Sequence, residues 1–492
     1  MRRLSRTRLT VVAVTLLVAG CAQSAADAGT EPDTSDEAPV MELTGSMLLE
    51  PSSGAPGTTV SLTGEGLPPD ADLIVEWVTA DGSWVLEGDR NEEYHGRSHN
   101  EVTSDLGTVT TDSAGNVSTS FVVPEGFGFG HDVRLVDAEG VVRNKALFDV
   151  DIEVRVTPTE GPVGTPITIE VFGMGWQSLE NTRTVVYDNV YTGFMSAVTT
   201  DGYARAVIPA VGDPGPHRIS ILRGAYTFPY LNPQQSPRPD IPVFDAVFTV
   251  TDGEPVLPPA IEDQNEPATP RPDRTSTGST EPQISTDYQS GPVETEFEVM
   301  GEGFEPGANV EFLWYRVVGN RVSGNGWDEQ AVSLGSAVAT ADGRVTADAV
   351  APHDVGGPHR IEAIVDETPV ASVDFDITPS VASFTPTTGP WGTEIVINLT
   401  GVGWTETANI YTLTYDNSYI GYACGFNSQG DVEIVLSAVG GAGWHFIDLY
   451  PAIYKGKESP GQQNFRIPQL TYEDDHPGED LPAFHLAFFL EG

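Results

Sequence analysis

The sequence predicts an all-β protein of four tandem Greek-key sandwiches arranged as two duplicated pairs. Three observations predict it. Short runs alternate apolar and polar residues, as at Thr59-Val60-Ser61-Leu62-Thr63 and Ile167-Thr168-Ile169-Glu170-Val171. That is the two-residue period of half-buried strands. Turn formers such as Asp201-Gly202 and Asp342-Gly343 separate the runs, and no segment carries an amphipathic helical period. A glycine–histidine phrase recurs four times, at His131, His217, His359 and His445. The first two and the last two histidines are each 86 residues apart, and both pairs repeat at an offset of 228.

Residues 1–20 read as an export signal. Arg2, Arg3, Arg6 and Arg8 precede an apolar run too short for a permanent membrane span. The run ends in Val18-Ala19-Gly20-Cys21, which resembles the bacterial lipoprotein lipobox. The resemblance implies acylation of Cys21 and a protein held by lipid on the extracytoplasmic face of the cell membrane. Residues 21–46 are rich in Ala, Asp, Glu, Thr and Ser and too polar to bury a core, so they form a flexible acidic tether.

Units one to four are expected at residues 47–151, 152–251, 284–377 and 378–492. Gly161, Trp176, Tyr187, Asn189 and Gly193 reappear 228 residues later as Gly389, Trp404, Tyr415, Asn417 and Gly421. Between the pairs, residues 252–283 are rich in Pro, Glu, Thr and Ser and are expected to be a semi-extended spacer.

The units open on a phrase of the form Pro-x-x-Gly-x-x-Gly-Thr, as in Pro51 to Thr58, Pro158 to Thr165 and Pro386 to Thr393. A β-run follows, then Gly-x-Gly and a bulky residue: Leu67, Trp176, Phe304 or Trp404. The third unit departs from the opening phrase, with Glu294 before Thr295. This pattern resembles the IPT/TIG type of immunoglobulin-like domain. The resemblance implies immunoglobulin-like sandwiches on an exported surface protein, serving as spacer, adhesive or binding modules, with no catalytic residues to carry over.

The chain has 492 residues, 71 acidic and 24 basic, for a net charge of −47. Removing the signal leaves 20 bases against 71 acids, or −51. Such a surface repels nucleic acid, so no nucleic-acid partner is expected. The partners expected are the membrane, through the N-terminal lipid, and an envelope glycan or surface protein. No P-loop, HExxH, Cys-x-x-Cys or Ser-His-Asp order occurs, and the protein is read as not an enzyme.

Four features are candidates for function. The histidines, one per unit at the head of a late strand, read as structural. Tyr187, Tyr191, Tyr415 and Tyr419 flank Asp-Asn turns and read as hairpin aromatics or, in the sharper version, as a platform for a glycan or peptide. The fourth unit carries an insertion containing Glu473-Asp474-Asp475-His476-Pro477-Gly478-Glu479-Asp480. Asp474, Asp475, Glu479 and Asp480 there are candidate oxygen ligands for Ca2+, the one cofactor considered, against a plain solvated loop. Cys424 aligns with Ser196 and is expected to be a buried thiol. The function expected is non-catalytic display, adhesion or ligand binding. The alternatives are a glycan-binding accessory protein with weak hydrolase activity in the last unit, and an inert spacer.

Overall fold

The alternating runs become strands because each can turn one face to a core and one to water. The computed structural model describes residues 40–88, 93–225, 228–238, 240–272, 281–320, 326–425, 428–454, 466–478 and 481–492. Cys21, Glu479 and Asp480 lie outside the described residues. The fold is all-β, as expected: four immunoglobulin-like sandwiches, each packing a three-stranded sheet on a five- or six-stranded one. In unit one, Ser46–Glu50, Thr59–Glu65 and Val117–Val122 face the sheet built on Asp72–Glu87, Glu93–Thr110, Phe129–Val136 and Val142–Val150. Thr59–Glu65 buries every second residue. No helix among the described residues is long and apolar enough to cross a membrane.

The opening phrase makes the first strand of each unit switch sheets. Short segments, Ser53–Gly54, Glu160–Pro162, Tyr288–Gly291 and Thr388–Gly389, pair parallel with the last strand of their units. The first glycine leaves room for the threonine four residues on. A Cβ on Gly161 would stand 2.4 Å from Thr165 Oγ1, and that hydroxyl donates to Pro162 O at 2.6 Å. The second glycine supplies a left-handed residue, with φ of 85° at Gly57, 81° at Gly164 and 84° at Gly392. In unit three, Glu294 takes the same conformation at φ 66°, so the turn survives the departure in sequence.

The bulky residues after Gly-x-Gly divide by position in the pair. Leu67 and Phe304 are buried in the cores of their own units. Trp176 instead meets His131 and Phe127 of unit one edge-on, at 4.8 and 5.7 Å. Trp404 packs with Val317 and Val355 of unit three. Each pair is closed by an equivalent bond, Gly128 N–H to Met174 O at 3.0 Å and Gly356 N–H to Val402 O at 3.1 Å. The joint is therefore duplicated along with the units.

The two pairs do not hang apart. Phe446, Tyr450 and Leu470 of unit four join the buried core cluster of unit two. Asn417 Nδ2 donates to Pro209 O at 2.8 Å. The linker is pinned where the sequence led us to expect a spacer. Gln264 exchanges two hydrogen bonds with the main chain of His485, at 2.8 and 2.7 Å. Asn265 does the same with Val381, at 3.1 and 2.8 Å. Two consecutive side-chain amides thus imitate a strand's ladder on unit four. Further on, Thr269–Pro270 adds to the sheet of unit three.

Candidate functional site

The four histidines hold strands together within their units. His131 stacks on Trp77 at 4.4 Å, its ring nitrogens each 2.8 Å from a main-chain oxygen, of Val78 and of Phe127. Burial holds its pKa below the ordinary histidine value. His359 likewise stacks on Trp314, its ring nitrogens facing the carbonyls of Tyr315 and Val355. In the even units a carboxylate replaces one carbonyl. His217 Nδ1 is 2.5 Å from Asp188, and His445 Nδ1 is 2.5 Å from Asp416. The Asp416 hydrogen bond outweighs burial and raises the His445 pKa. Among the described residues no group of three His, Cys, Asp or Glu side chains gathers to hold a metal.

The Asp-Asn segments are two-residue hairpin turns, with positive φ at Asp188, Asn189, Asp416 and Asn417. Their tyrosines are not an open platform. Tyr187 is 2% exposed, lies on His217, and donates to Val211 O at 2.9 Å. Tyr415 lies on His445 and donates to Val439 O at 2.8 Å. Tyr191 and Tyr419 come together where the equivalent strands Val190–Met195 and Ser418–Ala423 meet. Tyr419 also donates to Arg466 O. Of the four, Tyr187 is buried, while Tyr191, Tyr415 and Tyr419 are half-buried among these contacts.

The acidic insertion is a clasp. Val190–Met195 is the edge strand of unit two, and an open edge invites another chain. The insertion fills it: Phe194 N–H donates to Pro468 O at 2.9 Å, and Leu470 N–H donates to Phe194 O at 2.8 Å. Asp475, 1% exposed, ends the arm. Its Oδ2 accepts from Val198 N–H at 2.9 Å. Its Oδ1 accepts from Thr199 N–H and Oγ1 at 2.9 Å and from Trp84 Nε1 at 3.2 Å. A carboxylate surrounded by four donors is no calcium ligand, which corrects the reading of Asp475. Asp474 is exposed. Cys424 is also exposed, unlike its equivalent Ser196, which is buried under the arm. The expectation of a buried thiol fails because the arm covers unit two's edge at this position.

Sequence reasoning missed a cleft where the linker, the arm and unit four converge. One cavity of about 330 Å³ is lined by Gln264, Glu266, Tyr472, Glu473 and His485, among others. A second, of about 170 Å³, lies between Pro209 of unit two, Pro258, Pro259, Phe446, Asp448 and the same histidine. His485 Nδ1 stands 2.7 Å from Oδ1 of the buried Asp448, whose Oδ2 accepts from Thr414 Oγ1 at 3.3 Å. Burial works against charge on His485, but the Asp448 hydrogen bond and charge prevail and raise its pKa. Tyr450 presents its ring edge-on to Tyr472 and His485, and its buried hydroxyl has no hydrogen-bond partner among the described residues. Among the described residues, no serine, threonine or cysteine lines these two cavities, whereas a third, against the same His485, reaches Thr387 and Thr388. The one sequence signal was the extra length of unit four.

No family model and no curated protein matches the chain. Among solved structures it is similar to a tetra-tandem repeat in the extending region of a large adhesion protein, at 11% identity and a TM-score of 0.21, over 90% of this chain and 99% of that one. It is similar to the D1–D4 ectodomain fragment of ICAM-5, at 11% identity and a TM-score of 0.19, over 90% and 99%. It is also similar to a Salmonella alpha-2-macroglobulin mutant, at 10% identity and a TM-score of 0.18, over 92% of this chain and 31% of that one. The class of protein, a tandem immunoglobulin-like β-sandwich chain, follows from its own topology.

Proposed function

We propose that the chain is an exported lipoprotein, acylated at Cys21, whose IPT/TIG-like sandwiches form a non-catalytic binding body at the cell surface. The observation that carries this reading is the cleft at His485. The repeated histidines and hairpin tyrosines are engaged in packing, whereas the cleft presents the carboxylates of Glu266 and Glu473, the His485 imidazole and the Tyr472 ring. An aromatic ring beside carboxylate acceptors suits a hydroxyl-rich ligand, so the ligand class is an envelope glycan. The test is a screen of envelope glycans on the full mature chain, with and without Ca2+, beside Tyr472→Ala and Glu473→Gln. Binding that falls at least tenfold in both variants supports the reading. Flat responses throughout favour the inert spacer. Cys21→Ala should move the protein from the membrane fraction to the medium.

The Asp448–His485 pair favours a second reading, a glycan-binding accessory protein with weak hydrolase activity, because an imidazole oriented by a carboxylate can move a proton. Turnover of a bound glycan that His485→Ala abolishes would decide for it.

A further inference from the structure

Unit two buries positive charge at a place where its copy does not. Arg183 is 0% exposed and Arg223 7%. They stand directly opposite each other on the paired strands Arg183–Tyr187 and Gly215–Ala225. Arg183 Nη1 donates to Pro242 O at 3.2 Å, and Arg223 Nη1 donates to Arg238 O at 3.1 Å. Among the described residues, Arg183 Nε and Nη2 have no hydrogen-bond partner, and neither has Arg223 Nε. Nε and Nη2 form one side of the guanidinium, the fork that grips an anion with two parallel N–H bonds. On Arg183 that whole side makes no hydrogen bond to the described residues. The buried carboxylate of Glu180 is bonded to Arg238, which also holds Asp240.

The fold does not require these charges. The residues 228 further on are Tyr411, Pro451 and Ala408 in place of Arg183, Arg223 and Glu180. Tyr411 and Pro451 occupy the same cross-strand register. The same architecture therefore closes with uncharged residues. A buried guanidinium with unmade bonds is strongly destabilising, and a neighbouring like charge adds to that.

We propose that this cluster holds a small inorganic anion of the halide class, seated on the unpaired fork of Arg183 and shared with Arg223. The arginine is closed off from solvent, which excludes a bulky ligand, and a spherical ion makes no further demand on hydrogen-bond direction. The chain's strong negative charge opposes entry of an anion, and dissolved salt screens that field beyond about 10 Å at 0.1 M. The site should therefore fill as chloride rises.

The test follows the thermal unfolding of the full mature chain as sodium chloride replaces sodium gluconate at constant ionic strength. The expected result is a saturable rise in midpoint of about 3 °C or more, with bromide giving an anomalous scattering peak against the Arg183 fork. Arg183→Met should lose the chloride dependence. If that variant does not fold, Arg223→Gln should show the dependence reduced. Equal midpoints in the two salts for the wild type would overturn the proposal, as would a dependence undiminished in the variants that fold.

Discussion

Replacing Asp475 by alanine removes the acceptor for four donors at once. Thr199 is exposed, so water replaces its two bonds at little cost. Val198 is 1% exposed, and its N–H loses a charged acceptor 2.9 Å away, a loss of about 1.5–3 kcal/mol. Trp84 is half-buried, and its indole N–H, 3.2 Å from Oδ1, adds about 1 kcal/mol. Asp475→Ala should therefore weaken the docking of the arm by about 3 kcal/mol. Asp475→Asn keeps the three bonds to Oδ1 and sets an amide N–H2 against the Val198 N–H, so it should lose less, about 2 kcal/mol. Denaturant unfolding gives the order, and hydrogen exchange at the Val198 amide reports the site itself. An Asp475→Ala chain within about 0.5 kcal/mol of wild type, with Val198 exchange unchanged, would refute the clasp.

Other outcomes follow from the same contacts. Tyr187→Phe removes the hydroxyl that bonds both Val211 O and Val211 N–H; it should lower stability by about 1–2 kcal/mol and leave ligand binding unchanged. Replacing Gln264 and Asn265 together by alanine should release the linker, seen as faster proteolysis between residues 252 and 272 with the sandwiches intact. The pKa values of His445 and His485 are raised in the folded chain from 6.5. Their contribution to stability is complete below that pH and is lost as pH rises through the raised values. His131 is shifted down, so its contribution is complete above 6.5 and is lost as pH falls through its folded value. Melting profiles from about pH 5 to 9 should show a smaller alkaline decline in His445→Gln, where His485 still contributes, and a smaller acid decline in His131→Gln.

The repeat was legible because it is written in residues whose roles are local. His131 and His359 each bridge two carbonyls beside a tryptophan, and Gly161 and Gly389 each admit the threonine four residues on. Such constraints act within one unit and survive duplication. The contacts between units were not legible. Val198 and Asp475 are 277 residues apart, and their meeting depends on how finished sandwiches pack. A hint stood in the edge strand Val190–Met195, which carries Thr192 and Phe194 and no charge to guard its edge. Within the spacer, Gln264 and Asn265 look like ordinary polar residues, since nothing in their own neighbourhood marks the ladder bonds they make. The Arg183 cluster hides in the same way, because its significance shows only against Tyr411 and Pro451 at the duplicate positions.

The arm of unit four lies along the edge of unit two and locks the two pairs together. Ser196 Oγ and Thr471 Oγ1 stand 3.3 Å apart across that seam, close enough for a cysteine pair to bridge. With Cys21 and Cys424 replaced by serine, Ser196→Cys and Thr471→Cys together should form an intramolecular disulfide in near-quantitative yield under mild oxidation. Protease cuts in the linker would then leave both halves joined until a reductant is added. A chain that stays reduced, or that links only to other chains, would contradict the account.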